Sequence, residues 1–252
     1  MAGEGAAAVP SSSPAPHLDD YFKLQSEIAQ RMSEAAGNPM QMIALMSNPA
    51  KLREFRADRD GAIEKLREVC GRSFDHHDTN ENGVLEASES EIFFQHIVER
   101  LVPFTVSEGW NMLDRHFVKA LEHYKLVIGD DAEKIKQLED GLAAQVKEAK
   151  EEIERTSKER GEQYASDKIA RDAAAFAVLD KNNDGKLMKE AVVEGLTPDT
   201  DTHYAFLVAL GMMTEDEVQA QKQAKQNHEA MISGAQLAAQ TAAKYEQAET
   251  KQ

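Results

Sequence analysis

The chain has 252 residues, enough for a substantial hydrophobic core. Acidic side chains outnumber basic ones 45 to 29, and the resulting net charge of -16 repels nucleic acids and anionic membrane surfaces while attracting cations. A single cysteine, Cys70, excludes an intramolecular disulfide or a cysteine-rich zinc site, and no apolar run approaches the ~20 residues needed to span a bilayer.

Residues 1–18 are rich in Ala, Ser and Pro. They lack the basic and apolar regions of a secretory leader and the second-position Gly needed for myristoylation, so they read as the disordered tail of a cytoplasmic protein. Helices are expected over 19–62. Asp19 or Asp20 caps the first, which runs to Ala36 and ends at Gly37. Asn38-Pro39 opens a short Met-rich turn through Met40, Met42 and Met46. Asn48-Pro49 opens a longer helix, with Pro at the first position where no amide hydrogen is missed. Its apolar stripe is Leu52, Phe55, Ile63, Leu66, Val69 and Phe74, among which Cys70 reads as a buried structural thiol.

Over 102–163 the pattern predicts a helical hairpin. Thr105-Val-Ser-Glu108 reads as a capping box that starts the first arm, with Trp110, Leu113, Phe117, Leu121, Tyr124 and Ile128 recurring at steps of three and four. Gly129 and Asp130-Asp131 break and recap the chain. The second arm turns polar nearly all round over Glu151–Gly161, with Glu151/Arg155 and Glu154/Lys158 spaced to pair. A further helix is expected from Tyr164 to Leu179, and C-terminal helices over 197–252. Thr197-Pro198 starts one of these, and the capping box Thr214-Glu-Asp-Glu217 opens an Ala- and Gln-rich one toward Tyr245. Almost nothing reads as strand, so the fold class is all-α.

One segment carries chemistry. Asp78-Thr-Asn-Glu-Asn-Gly-Val-Leu-Glu-Ala-Ser-Glu89 fits the twelve-residue calcium-loop pattern D-x-[DN]-x-[DN]-G-x5-E at every specified position. Calcium takes six to eight hard oxygen ligands, and a tight loop can turn that many inward. Asp78 offers a carboxylate, Asn80 and Asn82 offer side-chain carbonyls, Val84 its backbone carbonyl, and Glu86 a direct or water-bridged oxygen. Gly83 permits the sharp turn, and Glu89 closes the sphere with two oxygens. Phe74 precedes the loop, and Ile92, Phe93, Phe94, Ile97 and Leu101 follow it, at the spacing of flanking amphipathic helices. That context favours a cation loop over a merely Asn/Asp/Gly-rich surface turn. With neutral Asn80 and Asn82, the expected dissociation constant is about 10⁻⁶ M.

A second copy, Asp180-Lys-Asn-Asn-Asp-Gly-Lys-Leu-Met-Lys-Glu-Ala191, keeps Asp180, Asn182, Asp184 and the Lys186 carbonyl as weaker candidate ligands. It departs at position nine, Met188, and at position twelve, Ala191, neither of which can coordinate. Glu190 falls one residue early and points about 100° away on a regular helix.

These loops and their flanks resemble the EF-hand calcium-binding superfamily over 63–101 and 164–196. The resemblance implies either a pair of hands joined at loop position eight, Leu85 with Leu187, with the hairpin inserted between them, or two lone hands, and the pair is the expectation. It also implies Ca2+, with Mg2+ at rest, and a protein partner received in an apolar groove. The functional expectation is a calcium sensor or regulatory adaptor, non-catalytic and cytoplasmic, with the cytoskeleton as one setting. The alternative is a helical scaffold that calcium stabilises. The Met residues, including Met212 and Met213, either line that groove or fill the core. The Ala-rich C-terminal helix packs into a partner, occupies the chain's own groove or projects into solvent. His76-His77 reads as exposed at a helix end, and no nucleophile elbow, P-loop or zinc-protease helix is present.

Overall fold

The computed structural model describes residues 15–36, 48–129, 131–227 and 230, and among them the chain is mostly helical. The expected Met-rich turn over 40–46 and the C-terminal helix beyond residue 230 lie outside the described residues. No helix among those described is long and apolar enough to cross a membrane.

Helix α1 (Pro16–Ala36) begins earlier than its Asp19 or Asp20 cap suggested, so residues 16–18 belong to a helix and not to a tail. The reason is apolar anchoring: Ala15, Leu18, Tyr21 and Phe22 are all buried, with Leu18 at 0% exposure. Helix α2 (Pro49–His77) starts as its sequence predicts, because the Asn48 side chain accepts from the Ala50 and Lys51 amides. Its buried face sharpens toward the C-terminus at Leu66, Val69, Cys70 and Phe74.

After the first loop and the short strand β1 (Val84–Leu85), helix α3 (Ala87–Ile128) runs unbroken for 42 residues with Pro103 inside it. The separate helix expected from Thr105 is therefore the middle of a longer one. Thr105 Oγ1 donates to the Leu101 carbonyl and Ser107 Oγ to the Phe104 carbonyl, so these hydroxyls bond back along the helix and cap no amide. Glu108 turns instead to Ser26 of α1 and to Asn111. Gly129, at φ +72°, ends α3, and Asp131 caps helix α4 (Ala132–Ser166) by accepting from the Lys134 amide. The distal half of α3 and the whole of α4 form an antiparallel hairpin. Trp110 Nε1 donates to the Lys150 carbonyl, Lys150 pairs with Asp114, and nearer the turn Lys125 pairs with Glu139. Arg155 takes Glu152 and Glu159, and Lys158 takes Glu162, in place of the Glu151 and Glu154 partners expected from spacing. At the hairpin tip Leu126 is 85% exposed and Val127 72%.

A break at Asp167 separates α4 from α5 (Lys168–Leu179), so the helix entering the second loop starts after Tyr164. Tyr164 instead closes α4, its hydroxyl donating 2.6 Å to the buried Asp172, which also pairs with Lys168. Strand β2 (Leu187–Met188) and helix α6 (Lys189–Leu196) follow the second loop. Helix α7 (Asp201–Ala209) is capped by Thr200, which accepts from the His203 amide. Thr197, expected to start that helix, ends α6 and donates to the Val193 carbonyl. The Thr214–Glu217 box forms reciprocally, Thr214 N donating to Glu217 Oε2 and Glu217 N to Thr214 Oγ1, and residues 215–227 are helical.

One core joins these elements, drawing on α1, α2, α3, α5, α6 and α7, on Tyr164 at the end of α4 and on both short strands. The strands pair antiparallel, Val84 opposite Met188 and Leu85 opposite Leu187, which brings the two loops side by side with both leucines fully buried.

Candidate metal centre

The first seven positions of each loop fold on themselves by the same hydrogen bonds. In the first loop, Asp78 Oδ1 accepts from the Asn82 amide at 3.0 Å and Oδ2 from the Gly83 amide at 2.8 Å. Asn80 Oδ1 accepts from Asn82 N at 3.1 Å, and Asn82 Oδ1 from Val84 N at 3.0 Å. In the second, Asp180 accepts from the Asp184 and Gly185 amides at 3.2 and 2.9 Å, and Asp184 Oδ1 from Lys186 N at 2.9 Å. Aspartate and asparagine suit these positions because their short side chains reach amides two to five residues ahead. Position four is left-handed in both loops, Glu81 at φ +54° and Asn183 at +55°, and position six is glycine at +82° and +78°. A Cβ would strain that last conformation, which is why Gly83 and Gly185 stand there.

The loops part at their ends. Glu89 reaches back across the first loop, Oε1 accepting from the Thr79 amide at 2.9 Å and hydroxyl at 2.7 Å, and Oε2 from the Glu86 amide at 3.2 Å. Partial burial pushes this carboxyl up, but the bonds from Thr79 and Glu86 outweigh it and hold it below the usual carboxylate range. Glu86 receives the Asn82 side-chain amide. Asp78 and Glu89 are both buried. The second loop has Ala191 where Glu89 stands, and Glu190 is exposed on the face toward Arg67 and Arg72 of α2. Its tie to the exiting helix is Lys181, whose ammonium sits 2.7 Å from Glu194, one turn further along α6. The exiting helix also lies close to the entering one here: a Cβ on Gly195 would stand 2.5 Å from Leu179 Cδ2.

As a donor set for a hard cation, the first loop supplies Asp78, Asn80, Asn82, the Val84 carbonyl, Glu86 and Glu89 on one short turn, all oxygen, which fits calcium. Asp180, Asn182, Asp184 and the Lys186 carbonyl form an incomplete set. Among the described residues no three His, Cys, Asp or Glu side chains converge as they would around a metal, the carboxylates being turned to loop amides.

Two features escape sequence reasoning. His77 is buried and not exposed at the helix end, because α3 covers it: its ring meets Phe93 at 5.1 Å, and its Nε2 lies 2.9 Å from His96 Nδ1. Its Nδ1 lies 2.8 Å from the Ser73 carbonyl, which can only accept. His77 therefore carries its hydrogen on Nδ1, and His96 donates to His77 Nε2. Burial pushes His77 down to about 4 against the pull of the Ser73 bond, and burial lowers His96 as well. The second feature is the seat of α1, which packs on α2 and α3 of the first helix–loop–helix unit and reaches the end of α6. Phe22 meets Phe104 at 4.9 Å between ring centres, Tyr21 Oη donates to the Leu196 carbonyl at 2.6 Å, and Asp19 pairs with Arg100 at 2.7 Å. The helical periodicity of α1 is visible in its sequence, but nothing local says which surface receives it. Residues 215–227 border the same region through Glu217, Ala220 and Gln221, and Met212 and Met213 line it as well. Set beside known proteins, the chain matches no family model, no curated protein and no solved structure.

Proposed function

We propose that the chain is a non-catalytic EF-hand protein of the cytoplasm that binds Ca2+ through Asp78, Asn80, Asn82, Val84, Glu86 and Glu89, and that it serves as a calcium sensor or adaptor. The observation that carries this reading is the self-folded first loop. Its oxygens already accept from the loop's own amides in the order that the calcium pattern requires, with Glu89 folded back over Thr79. Holding the ion would fix the start of α3 relative to the end of α2, which is the chemistry a bound divalent cation supplies here. The antiparallel contact at Leu85 and Leu187 supports two units acting together. The second loop lacks a closing carboxylate, so we assign it a supporting part with little or no calcium of its own.

A calcium titration in millimolar magnesium tests the assignment. The intact chain should take up one ion with a dissociation constant near ~10⁻⁶ M, and Glu89→Gln should abolish it. Uptake that survives in Glu89→Gln, or none in either protein, would overturn it. The long hairpin, with its ion-paired outer surface, favours a second reading in which calcium only stabilises a scaffold. A calcium-dependent rise in melting temperature without any new dye-accessible apolar surface would select that reading.

A further inference from the structure

We propose that the outer face of the distal half of α3, the side turned away from α4, binds the same face of a second copy of this chain, the two helices running antiparallel. The proposal goes beyond the calcium reading and does not depend on it.

The two arms of the hairpin differ in what they show to solvent. Among the described residues none between Val98 and Ser157 is buried, and the exposed large apolar side chains of the hairpin all stand on α3, none on α4. Counted at about 100° per residue, Trp110, Phe117, Leu121 and Ile128 share the side that meets α4, where Trp110 Nε1 reaches the Lys150 carbonyl. Met112, Val118 and Leu126 fall on the opposite side and are 47%, 51% and 85% exposed. The outer surface of α4 is instead taken up by its own ion pairs, Lys147 with Glu151, Arg155 with Glu152 and Glu159, and Lys158 with Glu162. One exposed apolar residue is ordinary, but a row of them confined to one face of one arm marks a contact surface.

Charge selects the occupant. Arg115 and Glu122 lie two turns apart on that outer side, between Met112 and Leu126. Among the described residues neither takes part in an ion pair, and Arg115 Nε is buried without a partner. A second α3 laid antiparallel sets each Arg115 opposite Glu122 of the other copy, on either side of the two Val118 side chains, so the face is its own complement. Residues 110–150 hold 8 acidic and 7 basic side chains, a net charge of -1 out of -16, which leaves -15 on the rest of the chain. Copies that repel one another elsewhere meet here with little repulsion. The antiparallel arrangement also sends the two acidic bodies to opposite ends. Each body then begins about 30 Å along α3 from the centre of the contact, beyond the ~10 Å over which salt screens charge.

Sedimentation equilibrium of the full chain, with a chelator present, should show monomer passing to dimer as protein concentration rises. Glu122→Arg sets arginine against Arg115 of the second copy at both ends of the contact, and Arg115→Glu sets two glutamates there. Each variant alone should dimerise about tenfold more weakly. Mixed in equal amounts, the two should recover the dimer of the unmodified chain, because every reversed charge then faces its opposite. Val118→Asp leaves both charges in place and should weaken the dimer as well, with unchanged melting temperatures excluding misfolding. A chain that stays monomeric at every concentration would overturn the proposal. So would a dimer indifferent to Glu122→Arg and Val118→Asp, or a mixture that associates no better than its two components.

Discussion

Thr79 occupies position two of the first loop and Lys181 position two of the second, and each ties its loop to the exiting helix by different chemistry. Thr79 offers an amide and a hydroxyl to Glu89, so the tie runs through the carboxylate that would close a calcium site. Lys181 offers a positive charge to Glu194 and bypasses position twelve, which is Ala191. Around these, the first loop carries Asp78, Glu81, Glu86 and Glu89 with no lysine, whereas the second balances Asp180, Asp184 and Glu190 against Lys181, Lys186 and Lys189. Lys189 is committed across the pair to Asp75, just ahead of the first loop. Yet the backbones agree within a few degrees at positions four and six. The backbone form of such a loop is therefore set by its first seven positions, where side-chain oxygens hold their own amides. Its capacity for a divalent cation is set separately by the last position and the surrounding charge.

Three substitutions would break or sharpen that comparison. The largest effect should come from Ala191→Glu, which gives the second loop its missing carboxylate: calorimetric stoichiometry should rise from one calcium ion to two. Stoichiometry fixed at one would mean that Lys181 and its neighbours, and not Ala191, exclude the ion. An intermediate effect concerns acid. His77 stands just before the first loop, where the second has Leu179, and its folded-state value near 4 lies below the ordinary 6.5. The unfolded chain therefore binds the proton first. The stability that neutral His77 contributes is whole above pH 6.5 and is lost as pH falls from 6.5 toward 4. His77→Leu, measured by denaturant unfolding with a chelator present, should flatten that slope, reducing the stability lost over the interval by about 1–3 kcal/mol. An unchanged slope would assign it to other groups, such as buried His203, which burial also shifts downward. The smallest effect should follow from Glu81→Asn, which copies Asn183 into the left-handed position four and should add roughly 0.5–1 kcal/mol, since Asn tolerates that backbone better. A melting temperature that does not rise would show that Glu81 is unstrained there.

What could be read in the sequence was local chemistry. Asn48, Gly129, Asp131 and the Thr214–Glu217 box end or start helices as written, because a cap involves residues within one turn of each other. The same logic misleads at Thr105, where a capping-box spelling lies inside a helix continued by its packing on α4, and at Thr197, where the cap falls to Thr200. Helix ends governed by long-range contacts were not legible, and neither were the burial of His77 beneath Phe93 and His96 or the docking of α1. Of the candidate site, the donor residues and their spacing were plain. That Glu89 is held by Thr79, and that Lys181 stands in for it through Glu194, depends on side chains brought together only by the fold.

The unbroken run of α3 through Pro103 has a mechanical consequence. At 1.5 Å per residue its 42 residues make a rod of roughly 63 Å, stiffened over its distal half by α4, with Glu89 at the base and Leu126 and Val127 at the far end. A rod of that length amplifies: pivoting at the base by roughly 5° carries the tip about 5 Å, the rise of a whole helical turn. The most exposed apolar side chains of the hairpin thus sit where displacement is greatest, far from the loop that would set it in motion.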